Sequence, residues 1–436
     1  MTSTPTATSR RALLAAASLL PLAACTPPLR AGHDAGPGEP ALASDSPVAR
    51  WMDLADRIGS NPGSGWPRSN TVALTARAMH DALNAIEPRH ATWLPRNAGA
   101  GAGISPVCAL SAAARTVLAR RGPPAEADAL LAALTAAEPS GPARESGTAL
   151  GTAIGTATLE AAGPAPERRM FEVSDQQGRW RPTSAAGQNT FFYTNQPFLF
   201  PARDSLRGPP PPDLASDRYR EDVEEVRRLG GSNSPARSEA QTEAANFWVP
   251  QLLHRNLMLL LLRRAAARPQ RGTPGGTPGS SVWDEARMAS ILATAHSDTD
   301  VFVYGEKAHH AFWRPVTAIG LGSPGAAGAP GIPADPLWQA VLNTPGHPDY
   351  PSGHSADITA GTLVIAGLLG EAPVRYQAID RQGRPTRDFP SLAAMLTECS
   401  DSRIWAGAHF RFACNEGQRI GRAIAARALT QVPRLG

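Results

Sequence analysis

From Val72 onward the apolar residues recur at three- and four-residue intervals, and few stretches alternate apolar with polar among β-branched residues. A chain patterned in this way buries its apolar faces by packing helix on helix, so the expected class is all-α. The spacing predicts helices over 72–86, 111–120, 124–134, 145–162, 216–229, 235–248, 252–267 and 358–369. Ser234-Pro235 is read as the cap and first turn of the sixth. The 145–162 helix is built of small residues and could pack closely. Residues 163–214, with Pro201 and the Pro209 to Pro212 run, form an irregular stretch expected to wrap a surface or line a site. Gly272 to Ser280 reads as a linker. The chain thus divides into an amino-terminal helical bundle with its wrapping loop over 49–271 and a carboxy-terminal bundle over 281–436.

The first 24 residues read as an export signal: Ser9-Arg10-Arg11 precedes an apolar segment from Ala12 to Leu20, too short for a stable span. Leu22-Ala23-Ala24-Cys25 resembles a lipobox, so Cys25 is the expected site of a lipid anchor, and 25–48 the expected tether. The expected location is therefore outside the cytoplasm, periplasmic or on the outer surface. Cys108, Cys399 and Cys414 remain, an odd number that allows at most one internal disulfide.

The formal charge of +4 falls to +2 without Arg10 and Arg11, too balanced for a nucleic-acid surface. Lys307 is the only lysine among the 42 basic residues. A chain that uses guanidinium everywhere else and keeps one ammonium suggests a position where a compact point donor is required.

Six of the ten histidines lie between His296 and His409, and three segments there carry the chemistry. In Lys307-Ala-His-His-Ala-Phe-Trp-Arg314-Pro315, the two cations are seven residues apart. On a helix ended by Pro315 they would point along one face, about 10 Å apart. In His347-Pro348-Asp349-Tyr350-Pro351-Ser352-Gly353-His354, a Pro-Ser-Gly turn opens a helix. It offers free backbone N–H groups, a hydroxyl and a close approach for an anion, with His354 placed to move a proton. In Ser402-Arg403-Ile-Trp-Ala-Gly-Ala-His409, six residues of straight helix would leave Arg403 and His409 about 120° apart. A break at Gly407 is therefore expected, with His409 at the start of the next element.

Taken in order, Lys307/Arg314-Pro315, Pro351-Ser352-Gly353-His354 and Ser402-Arg403/His409 resemble the three-part signature of vanadium-dependent haloperoxidases and type 2 phosphatidic acid phosphatases. Ala78 to Asn84 and Gln241 to Trp248 resemble segments of the bacterial haloperoxidase branch. The resemblance implies two four-helix bundles with a vanadate or phosphate site at the end of the carboxy-terminal one. It implies vanadate as cofactor, with His409 as the vanadium ligand. Lys307, Arg314, Arg403, Ser352, Gly353 and His354 would hold the oxygens, and His354, Lys307 and His409 would be catalytic. Hydrogen peroxide, a halide and an organic acceptor are the implied partners, with His354 acting as acid and base and Lys307 polarising the bound peroxide. His347 stands where algal bromoperoxidases carry His and fungal chloroperoxidases Phe, which leans toward bromide or iodide.

The sequence departs from the signature at one place. An Asp often stands four residues after the ligand histidine, and here that position is Ala413. Glu416, Asn415 or a backbone carbonyl are the expected substitutes for orienting His409. The alternative reading is a secreted acid phosphatase with His409 as nucleophile, which the missing carboxylate weakens. A lipid-anchored binding protein with a relic pocket is a third reading, opposed by the retention of all six polar side chains.

Overall fold

The computed structural model describes residues 46–61, 65–95, 103–183, 190–249, 253–267, 281–325, 331–377 and 386–432. The export signal, Cys25, most of the tether and the Gly272 to Ser280 linker lie outside them. In α1 (Pro47–Gly59), Ser46 caps the first turn and Val48, Trp51, Met52, Ala55 and Ile58 form the buried stripe. Helices α2 (Arg68–Ile86), α3 (Pro106–Leu118), α4 (Pro124–Thr135) and α5 (Pro142–Ala162) complete the first bundle, in which α2 packs on α1, α3 and α5. The expected start of α3 at 111 is corrected to Pro106, because Ser105 accepts from the Cys108 N–H and opens the helix five residues earlier. Gly147, Gly151 and Gly155 line the face of α5 that lies on α3, where a Cβ would strike backbone or side-chain atoms of α3, so the small-residue expectation holds.

The irregular stretch carries a two-stranded antiparallel sheet, β1 (Arg168–Met170) with β2 (Phe191–Tyr193), in which Arg168 faces Tyr193. Then follow α6 (Asp217–Gly230), α7 (Glu239–Phe247) and α8 (Leu253–Ala266). Ser234-Pro235 does not cap α7. Ser238 does, in a capping box with Gln241, because its hydroxyl and the Gln241 side chain satisfy each other's backbone N–H groups.

The second bundle is built on α9 (Val282–His310), with α10 (Pro315–Leu321), α11 (Gly353–Leu369), β3 (Val374–Gln377), β4 (Thr386–Phe389), α12 (Leu392–Trp405) and α13 (Arg411–Leu429). The sequence reading placed a helix at Lys307 to Arg314 and assigned none to 282–306. α9 packs on α2, α8, α11 and α13 at once, so its buried residues surround its axis and leave no single apolar stripe to recognise. α11 lies tightly on α13, where Gly417 and Gly421 face the backbone of Ser352 and Ala356. One continuous apolar core runs from Val48 through α8, α9 and α11 to Val432, so the two bundles share their interior. Among the described residues no helix is long and apolar enough to cross a membrane, and Cys108, Cys399 and Cys414 are buried free thiols.

Candidate active site

Lys307 sits in the last turn of α9, fully buried, and donates to the carbonyls of Pro348 and Asp349 at 2.8 Å each. The expectation that Arg314 continues the same helix is corrected. α9 ends at His310, Ala311 turns left-handed at φ 42°, and Arg314 becomes the N-cap residue of α10, with Pro315 starting that helix rather than ending the previous one. The cause lies in the wrapping loop. The Trp180 N–H donates to the Ala311 carbonyl at 2.7 Å, the Trp313 N–H to the Gly178 carbonyl at 3.0 Å, and Arg179 to the His310 carbonyl at 3.0 Å. These bonds take backbone groups that a longer helix would have used. Arg314, fully buried, is thereby turned back toward the pocket. Its Nε donates to the His347 carbonyl at 2.9 Å, its Nη1 to the Ala408 carbonyl at 2.7 Å, and its Nη2 lies 3.0 Å from His347 Nδ1.

Ser352 caps α11, its oxygen accepting from the Ser355 N–H, and its own N–H donates to the Ala413 carbonyl at 2.9 Å. Gly353 and His354 open the helix. A Cβ at Gly353 would meet only Val303 at 3.6 Å, an ordinary contact, so neither the protein's own packing nor its backbone requires glycine there. A backbone bare of side chain at this helix start leaves its N–H open to an anion.

The third segment breaks as expected. α12 ends beyond Arg403, Gly407 takes φ 71°, and the Ala408 and His409 N–H groups both point to the Arg403 carbonyl, at 3.0 and 3.3 Å. A Cβ on Gly407 would lie 2.5 Å from the Gly230 carbonyl oxygen, so the turn also has no room for a side chain. His409 precedes α13 and meets Arg314, whose Nη1 lies 3.1 Å from its Nε2. The structure thus gathers Lys307, Arg314, His347, Ser352, Gly353, His354, Arg403 and His409 from three distant segments.

The carboxylate missing at position 413 is not supplied by the expected substitutes. Asn415 faces solvent and Glu416 is bound to Arg419, its oxygens 2.6 to 3.0 Å from that guanidinium. Asp349 is there instead, fully buried, with Oδ1 2.9 Å from His409 Nδ1 and 3.7 Å from Arg314.

The charges do not balance. Lys307, Arg314 and Arg403 are three buried cations, and Asp349 is the one carboxylate among them in the described residues. Burial, then Arg314, pushes Lys307 well below its ordinary pKa, and burial lowers Arg314 to about 10. Burial raises Asp349 to about 7 against the pull of Arg314 and Lys307. His347, His354 and His409 are all held far below 6.5 by burial and by the neighbouring cations, so each ring is neutral. Arg403 Nη2, His354 Nε2 and both carboxylate oxygens of Asp349 are buried without a hydrogen-bond partner. Uncompensated buried cations and orphaned donors are unfavourable unless a ligand answers them. An oxyanion such as vanadate or phosphate answers both, so the donor set fits the group the sequence implied.

Beside this pocket, His254, Asp300 and Asp357 bring ligand-type atoms within 4.8 Å of one another, with His254 Nε2 2.8 Å from Asp357. Burial opposes the charge on His254, but Asp357 and Asp300 outweigh it and raise the ring to about 9. His254 and Asp357 thus form a close charged pair with Asp300 beside them. Sequence reasoning missed this cluster because it joins α8, α9 and α11. The one local signal is spacing: Asp357 lies one turn after His354, and Asp300 two turns before Lys307.

The carboxy-terminal segment, residues 287–435, matches the family model described as the VCPO second helical-bundle domain. The solved structure of a bacterial vanadium-dependent iodoperoxidase aligns with a TM-score of 0.70 at 19% identity, over 91% of this chain and 99% of that one. The chain has the vanadium haloperoxidase fold. Two bacterial vanadium-dependent chloroperoxidase structures share it. The apo-type aligns with a TM-score of 0.57 at 17% identity over 82% of this chain and 92% of its own, and the holo-type with 0.58 at 16% over 90% and 95%. No curated protein matches the sequence. In this vanadium haloperoxidase fold the pocket of Lys307, Arg314, Arg403 and His409 lies in the carboxy-terminal bundle, as the sequence resemblance implied.

Proposed function

We propose that the chain is a vanadium-dependent haloperoxidase that oxidises a halide, with bromide or iodide favoured, using hydrogen peroxide, and passes the hypohalous product to an organic acceptor. The observation that carries this is the uncompensated positive charge: Lys307, Arg314 and Arg403 are buried around one carboxylate, with Arg403 Nη2 and His354 Nε2 unpartnered. Vanadate, when bound, supplies a Lewis-acidic centre that activates peroxide toward halide without changing oxidation state. His409 would hold the metal through Nε2. Lys307, Arg314 and Arg403 would neutralise the oxygens, and the Ser352 hydroxyl and Gly353 N–H would donate to them.

His354, kept neutral by burial and by Arg403, is able to take a proton from an incoming hydroperoxide and return it to a leaving oxygen. Lys307 spends two of its N–H bonds on Pro348 and Asp349, which fixes the ammonium and leaves its third for the ligand. His347, half-buried and edge-on to Tyr304 with ring centres 5.6 Å apart, borders the pocket where a halide would approach. Ser9-Arg10-Arg11 and the run to Cys25 support export, with a lipid anchor at Cys25.

Asp349 beside His409 also favours a second reading, because a nucleophilic histidine needs the orienting carboxylate that Ala413 does not provide. In that reading His409 attacks a phosphate ester and His354 protonates the leaving alcohol. One experiment separates the two. The chain is loaded with vanadate and assayed for peroxide-dependent bromination of a dione, alongside hydrolysis of a phosphate monoester by the vanadate-free protein. Bromination is expected. Hydrolysis that vanadate inhibits, with no bromination, would replace the haloperoxidase by the phosphatase.

A further inference from the structure

His409 lies between Arg314 and Asp349. Arg314 Nη1 lies 3.1 Å from Nε2 and 3.4 Å from Nδ1, so the guanidinium alone does not choose between the two ring nitrogens. Asp349 Oδ1 approaches Nδ1 to 2.9 Å, and because a carboxylate oxygen only accepts, this contact favours the ring proton on Nδ1. The backbone of Asp349 is itself fixed. The Asp349 N–H donates to the Phe312 carbonyl at 2.9 Å, and its carbonyl accepts from Lys307 at 2.8 Å. One residue therefore touches all three segments of the pocket.

We propose that Asp349 is the positioning residue for His409, setting its tautomer and ring direction so that the Nε2 lone pair points into the pocket. The proposal rests on the oxyanion-site reading above and deepens it. A carboxylate that holds a ligand histidine by its other nitrogen raises that ligand's basicity, and losing such a partner weakens metal affinity about 10- to 100-fold. The position of the carboxylate along the chain is immaterial to this role. Asp349 stands 60 residues before His409 and reaches it through the fold.

The test has two arms. In the unsubstituted protein with 15N-labelled histidine, His409 is assigned by the signal lost in His409→Gln. The ring is expected to show a protonated Nδ1 and a bare Nε2, and protonation at Nε2 would overturn the proposal. In Asp349→Asn, vanadate affinity measured by calorimetry is expected to fall about 10- to 100-fold, with the His409 signals moving to a mixture of tautomers. Affinity within twofold of the parent, with the tautomer unchanged, would also overturn it. If Asp349→Asn does not fold, the first arm decides alone. A parent protein that binds no vanadate and no phosphate would sink the oxyanion-site reading while leaving the tautomer result to decide the role of Asp349.

Discussion

Two buried charge clusters in this molecule are built to opposite ends. In the first, Arg77 of α2 lies between Asp81 and Asp298, its guanidinium over the rings of Trp93 and Phe198 at 4.7 and 4.3 Å. Each carboxylate is closed by backbone donors. Asp81 accepts from the Trp93 and Leu94 N–H groups at 2.9 Å, and Asp298 from those of Phe198 and Leu199 at 2.7 and 2.8 Å. These bonds fasten two loops to the helices. In the second cluster, three cations meet one carboxylate and buried polar atoms are left over. The first cluster is formally negative, its carboxylates closed by backbone donors while Arg77 Nε and Nη1 stay unpartnered over two rings; the second is formally positive, and that sign of excess is what suits an oxyanion.

The sharpest way to break this contrast is at Lys307. Lys307→Arg is expected to keep vanadate bound, since the charge remains, but to lower bromination turnover about 100-fold, since a planar fork cannot replace a rotatable point donor. Full turnover would show that the single lysine has no special role. The next effect is on stability. Vanadate at about 100 times its dissociation constant should stabilise the parent protein by about 2.7 kcal/mol, read as a shift in the urea midpoint. Arg403→Ala should lose most of that shift at the same vanadate concentration.

The first cluster is expected to respond in the other direction. Asp298→Asn should lower folding stability by about 1 to 3 kcal/mol in urea melts, because one of the two loop N–H groups loses its acceptor, while bromination per folded molecule stays unchanged. A loss of specific activity with intact stability would erase the distinction between the clusters. The smallest effect is a slope. Burial raises Asp81 from 3.8 to about 6 and Asp298 from 3.8 to about 7. In each case the folded state holds its proton to a higher pH than the unfolded chain. Their contribution to stability is therefore fully present below pH 3.8, declines as pH rises, and is flat above about 7. Urea melts between pH 4 and 7 should show this decline in the parent protein, and Asp298→Asn should make it shallower.

The pocket residues were legible because each sits in a short segment whose local chemistry is unusual: a lone lysine, a Pro-Ser-Gly helix start, and an arginine and histidine separated by a glycine. The break at Gly407 followed from helix geometry alone, since a straight helix could not bring Arg403 and His409 to one ligand. The end of α9 was not legible. Nothing between Lys307 and Pro315 forces a turn at Ala311, and the bonds that make it come from Gly178, Arg179 and Trp180, more than a hundred residues earlier. Most of α9, before Lys307, escaped notice for a related reason, as a helix buried on every side carries no amphipathic stripe.

By itself the sequence determined the helical class, the three segments and the type of ligand, because periodicity, capping and the need to answer a buried charge act over a few residues. The tertiary structure decided which carboxylate stands behind His409. Position 413 could show only an absence, whereas Asp349 reaches the ring through a fold that brings the start of α11 against the start of α13. A contact between residues far apart in sequence leaves no local pattern, and only the packed chain reveals it.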